Sequence, residues 1–198
     1  MAAPSTEGAG AATTDVAHVA KKKKTKKTKK RRKTTRKSRA PVQRGPCAGA
    51  DTVPSVDVET AEKATVCLLN QERAAKGLGA VSANGDLSVA ADRHAQDMVS
   101  KKYFSHDAPG GSDFVDRILR AGYVRPTSLG WLLGENLAWG SGALGTPRNI
   151  VESWMDSPGH RANVLKGEFE NIGVAIVLGA PAAGVQNAAT YASEYGRR

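Results

Sequence analysis

The sequence predicts an α+β fold in which a small antiparallel sheet is covered by helices. Three observations carry this. Apolar residues recur at helical spacing through most of the region between Val58 and Val164. A β-branched run, "NIGVAIVLG", follows them. The alternating segment "ATYASEYG" comes last. Helices first and strands last is the order of an α+β domain rather than of a parallel α/β one.

The elements follow in order. Val58, Ala61, Thr65, Leu68 and Leu69 set a helix from Val58 to Lys76, with Asp57 as N-cap and Gly77 as the stop. "SANGD" reads as a turn. A second helix runs from about Leu87 to Lys101, with Leu87, Ala90, Ala91, His94 and Met98 on one stripe. "SHDAPGG" is a loop. Ser112 is expected to cap a third helix that turns Phe114, Ile118 and Leu119 inward and ends at Gly122. Residues 123–145 are Gly-rich and read as irregular, with a short apolar segment in "GWLLGENLAWGSG". Thr146–Pro147 opens a fourth helix carrying Ile150, Val151, Trp154 and Met155. Ser157–Pro158 repeats that signal for a short helix to about Val164. The two strand segments close the chain, joined by a Gly/Ala/Pro-rich stretch that fits a hairpin connection.

Charge divides the 198 residues into two parts. Residues 1–46 hold 15 Lys and Arg against Glu7 and Asp15, a net +13. Residues 47–198 carry a net −3. The chain therefore reads as a disordered basic tail, 1–46, on a mildly acidic domain, 47–198. The run "KKKKTKKTKKRRKTTRKSR" repels itself and has nothing to pack. It is either a solvated linker or a patch that holds an anionic cell-wall or membrane surface by charge. It lacks aromatics to stack on bases, so specific nucleic-acid binding is not expected. No stretch has the ~18 apolar residues of a membrane helix. The first twenty residues contain no apolar core of a signal peptide, so export is not encoded in a readable form.

Two cysteines, Cys47 and Cys67, suggest one disulfide and an oxidising compartment. The alternative is a buried free Cys67 and an incidental Cys47. His94 lies on an apolar helical stripe and reads as a core histidine satisfied by a hydrogen bond. His106 lies in a loop among turn residues, a better place for function. His160 lies in the first turn of a short helix, which disfavours added positive charge. Glu135, in an otherwise apolar stretch, needs a partner, and an Arg or a His would serve. The spacing matches no HExxH or CxxC metal pattern, no GxSxG elbow and no phosphate loop.

The ordered series "NQERAAKGL", "HAQDMVSKKYFSHDAPGG", "GENLAWG", "IVESWMDSPGHRANVL", "FENIGVAIV" and "YASEYG" resembles the CAP superfamily in its compact bacterial form. These are the SCP/Tpx-1/antigen 5/PR-1 domains, also described as allergen V5/Tpx-1-related or cysteine-rich secretory proteins. The resemblance implies an α–β–α sandwich and a cleft where two histidines and two acidic residues converge, in some members around a divalent metal such as zinc. His106 matches the first histidine, Glu135 the first glutamate and His160 the second histidine. Ser157 stands at the position of the second glutamate; Glu152, two residues before Trp154, is a weaker candidate. The function expected is an extracellular or envelope-associated binding module, acting as a monomer, whose cleft holds a metal, a small molecule or a lipid. The alternative is a metal-assisted, peptidase-like hydrolase near the cell wall. Without a Ser or Cys nucleophile near the histidines, the sequence favours binding over catalysis, and no catalytic residue is assigned.

Overall fold

The computed structural model describes residues 18–19, 46–125 and 130–198. The rest of the expected basic tail lies outside the described residues. Helix α1 spans Val58–Ala75, and Asp57 caps it by accepting from the Thr60 amide at 3.3 Å. Strand β2 is the two-residue Ser82–Ala83. Helix α2 spans Gly85–Lys101 and starts two residues earlier than expected, because Asn84 accepts from the Leu87 amide. Helix α3 spans Phe114–Ala121. Its cap is Asp113, not Ser112: the Asp113 carboxylate takes the Asp116 amide at 2.8 Å. Leu119 is only half-buried, whereas Phe114 and Ile118 are inside.

The main departure from expectation is strand β3, Leu132–Ser141, in the stretch read as irregular. It leads through a 3₁₀ turn, Gly142–Gly145, into α4, Pro147–Asp156, capped by Thr146. Helix α5 spans Pro158–Val164. Ser157 stands at its N-cap position, yet its hydroxyl makes no capping bond. Strands β4, Asn171–Leu178, and β5, Ala188–Arg197, form the expected hairpin.

The strand order is β1-β3-β5-β4-β2. Pairing is antiparallel except for β2, which runs parallel to β4. Strand β1 is His18–Val19, in a segment read as disordered; it pairs with Leu133 and Leu132. The edge of β3 offers unpaired backbone groups there, and a short strand satisfies them.

Helices cover both faces, so the layers are α–β–α. Side chains alternate across a strand. One face presents Ile172, Val174, Ile176, Tyr191 and Tyr195 to α1, α4 and α5, around Leu69 and Trp154. The other presents Leu133, Leu137, Ala175 and Ala192 to α2 and α3. Helix α2 sits close to β4 because residue 173 is glycine: a Cβ there would overlap the backbone of Leu87 and Ser88.

Two fastenings hold the first face. Cys47 and Cys67 form the expected disulfide, tying the start of the domain to α1. Arg73, fully buried in α1, donates to the carbonyls of Gly79, Val164, Lys166 and Phe169 at 2.7 to 3.1 Å. It thus satisfies carbonyls at the end of α5 and before β4 that would otherwise be buried without donors.

Candidate functional site

The site lies on the sheet face under α2 and α3. Glu135 of β3 and Glu194 of β5 are direct cross-strand partners, so their side chains emerge together on that face. Both are buried.

Helix α2 places the first histidine. Lys102 ends the helix in the left-handed conformation and the chain turns back over the sheet. His94 fixes this loop: its Nε2 lies 2.9 Å from the Ser105 carbonyl and therefore carries the proton. The Tyr103 hydroxyl donates to Asp97 at 2.7 Å, and its approach to His94 Nδ1, at 3.5 Å, is only a loose contact. The core role expected for His94 is what is seen, with a loop-positioning consequence. His106, one residue beyond Ser105, then brings Nδ1 within 2.6 Å of Glu135 Oε1.

Helix α3 supplies the second partner. Arg117 donates from Nη2 to Glu135 Oε2 at 2.6 Å, and from Nη1 to the carbonyls of His106 and Ser112 at 2.9 and 3.2 Å. Glu135 thus has both partners that its burial called for, one on each oxygen. Its carboxylate dictates the polarity of the His106 contact: Nδ1–H donates, and in the neutral ring Nε2 holds the lone pair. His106 Nε2 is buried and has no hydrogen-bond partner among the described residues.

The two glutamates titrate in opposite directions. Burial alone would raise Glu135, but the His106 hydrogen bond and the positive charge of Arg117 outweigh it and bring it down to about 2. Glu194 is raised well above the usual carboxylate range by burial and by the negative charge of Glu135. These opposite directions favour a neutral Glu194 beside an ionised Glu135. Neither Glu194 oxygen meets a partner of hydrogen-bond geometry among the described residues, so the coupling is through charge and proximity rather than an aligned bond.

His160 is buried in α5. Its carbonyl accepts from Asn136 Nδ2 at 3.1 Å, and Asn136 points away from Glu135 by strand alternation. Asn163 completes this network by donating to the Glu135 carbonyl and the Asn136 side chain, both at 3.0 Å. Glu152 is exposed on α4. The Ser157 hydroxyl is buried without a hydrogen-bond partner among the described residues.

This arrangement does not fit the expected divalent metal. Among the described residues, no group of three or more His, Cys, Asp and Glu is placed to hold one. Both Glu135 oxygens are engaged, by His106 Nδ1 and by the Arg117 guanidinium, which leaves His106 Nε2 and Glu194 open, two protein ligands where a site usually has three or more. Glu194 and Arg117 were missed in the sequence. The one signal for Glu194 was its position in an alternating strand beside "GEN", visible only once β3 and β5 are paired.

Comparison with known proteins agrees with this fold. The profile of the cysteine-rich secretory protein family, CAP, matches residues 66–188. The chain is 36% identical over 140 residues to the uncharacterized protein YkwD of Bacillus subtilis, covering 71% of this chain and 51% of that protein. It is 30% identical over 117 residues to the uncharacterized membrane protein YlbC of the same organism, covering 59% and 32%. It thus spans about half the length of the first and a third of the second. An outer surface protein of Borrelia burgdorferi superposes with a TM-score of 0.59 at 19% identity, covering 72% of this chain and 96% of that one. An extracellular SCP-domain protein of Bacillus anthracis superposes with a TM-score of 0.54 at 23% identity, covering 73% and 45%. The paired His106 and Glu135, the two-faced sheet and the matched profile lead to one assignment: the chain belongs to the cysteine-rich secretory protein (CAP) family.

Proposed function

We propose that this chain is a binding module of the bacterial envelope, working outside the cytoplasm, and that its cleft beside His106, Glu135 and Arg117 takes a small ligand without turning it over. The observation that carries the reading is the state of Glu135. Each of its oxygens is held at 2.6 Å by a cationic or N–H donor, so it acts as a rigid post between a loop and a helix. A preorganised polar wall of this kind suits recognition. Neither cysteine is a free thiol, and no Ser or Thr hydroxyl is hydrogen-bonded to His106 among the described residues. The disulfide favours an oxidising location, and the B. burgdorferi and B. anthracis fold relatives are surface and extracellular proteins. No described helix is long and apolar enough to cross a membrane. The basic run at residues 21–39 would hold the module against an anionic wall or membrane surface.

One observation favours the second reading, a hydrolase. His106 has a carboxylate on Nδ1 and a buried, unpartnered Nε2, the arrangement of an oriented general base. Turnover of peptide and ester substrates by the wild type and by His106→Ala separates the two. The binding reading expects no turnover by either. Turnover by the wild type that His106→Ala abolishes would replace it with the hydrolase.

A further inference from the structure

Beside the buried site, α2, α3 and the loop between them enclose a half-open cleft of about 220 Å³. Arg93, Arg117 and Arg120 line it, with His94, Asp97 and Ser112. Its charges are unevenly matched. Asp97 is taken by Lys101 at 2.7 Å and by the Tyr103 hydroxyl. Arg120 donates to the Ser112 hydroxyl at 3.0 Å and reaches Asp116 only at 3.8 Å. Arg93 is exposed, and no carboxylate of the described residues lies within ion-pair distance of it. Arg117 has a side chain only 9% exposed, held on one side by Glu135 and the His106 and Ser112 carbonyls. Its Nε–H is buried and meets no acceptor among the described residues. An unmet donor of a charged group costs roughly 1–3 kcal/mol or more, which an incoming acceptor removes.

Resting on the binding-module reading, we infer that this cleft is a subsite for a phosphoryl group, with Arg93, Arg117 and Arg120 converging on its oxygens. A single carboxylate is satisfied by one guanidinium fork. Three guanidiniums around one opening match the several oxygens of a phosphoryl group. Arg117 is the preorganised member: three of its five N–H groups are already placed, which leaves Nε–H and one Nη2–H. Arg93 and Arg120 close on the ligand from the rim. The source is a soluble phosphate ester or a phospholipid headgroup, which share this chemistry.

The test titrates the full chain with glycerol 3-phosphate at physiological ionic strength, with glycerol as the neutral control. The readouts are affinity and the Arg117 Nε–H resonance in proton–nitrogen NMR. Glycerol 3-phosphate should shift that resonance and glycerol should not. The double variant Arg93→Gln/Arg120→Gln, both exposed and compatible with folding, should bind about tenfold or more weakly at an unchanged melting temperature. Phosphatidylglycerol vesicles distinguish the sources. Weaker vesicle binding by the variant, which keeps the basic tail, points to a headgroup; unchanged vesicle binding points to a soluble ester. An unmoved Arg117 resonance, or equal affinity of variant and wild type for glycerol 3-phosphate, overturns the phosphoryl assignment. If a phosphate-free ligand co-purifies with the chain in that case, the binding-module reading stands; if nothing binds, both fall.

Discussion

Glu194 has an environment that makes its titration visible in stability. Burial and the neighbouring Glu135 charge raise it in the folded state, so the folded chain holds a proton that the unfolded chain gives up near pH 4.5. Above that pH the folded state binds more protons than the unfolded one, and stability falls as pH rises. Glu135 acts in the opposite sense: lowered to about 2, it adds stability above pH 4.5 that is lost as pH falls toward 2. Glu194→Gln keeps the shape and removes only the first effect. Its melting temperature relative to wild type should therefore rise between pH 4.5 and pH 8. A difference that stays flat over that range would mean that Glu194 is not held protonated. At this scale part of the site was legible. Glu135 asked for an Arg or a His and received both. Arg117 was hidden because an Arg on an eight-residue helix that also carries Arg120 bears no mark of the strand it will meet.

At the scale of elements, the helices were legible because caps and apolar spacing act locally. Asp57, Thr146 and the Pro residues at 147 and 158 stand where expected. Strand β3 was not legible, for a physical reason. Helices cover both faces of the sheet, so the strand buries Glu135 on one side and Asn136 on the other. Alternation of apolar and polar residues, the usual sign of a strand with one wet face, is then absent. Two glycines, Gly134 and Gly140, lowered its apparent strand propensity further. Each is there for close approach: a Cβ on Gly134 would crowd Phe169, and one on Gly140 would meet the Leu144 backbone. Gly173 does the same for α2 against β4. Gly173→Ala must push that helix outward, at a cost of about 1–3 kcal/mol or more. Denaturant unfolding should show the loss with an unchanged m-value. A variant as stable as wild type would show that α2 does not rest on this glycine.

For the whole molecule, the division of charge sets the expected behaviour. Residues 47–198 carry −3 and residues 1–46 carry +13, so attraction to an anionic surface, apart from any headgroup held in the arginine cleft, should come from the basic segment. Binding to anionic vesicles should fall steeply with salt. Replacing the Lys and Arg of residues 21–39 by Gln in the Arg93→Gln/Arg120→Gln background should abolish it and leave the melting temperature of the domain unchanged. Binding that survives those replacements would place the attraction on the domain. The order of helices and strands made the fold class readable over this length. The convergence of the buried site was not, because Arg117, Glu135 and Glu194 are brought together only by the pairing of β3 with β5 and the packing of α3 across it.

The central claim is that the cleft holds a small ligand rather than a catalytic metal. Native mass spectrometry of the gently purified full chain tests it most directly. The account predicts a non-covalent small-molecule adduct on the wild type, reduced in His106→Ala, with no stoichiometric metal. One divalent metal ion per chain, retained by the wild type and lost in His106→Ala, would contradict it.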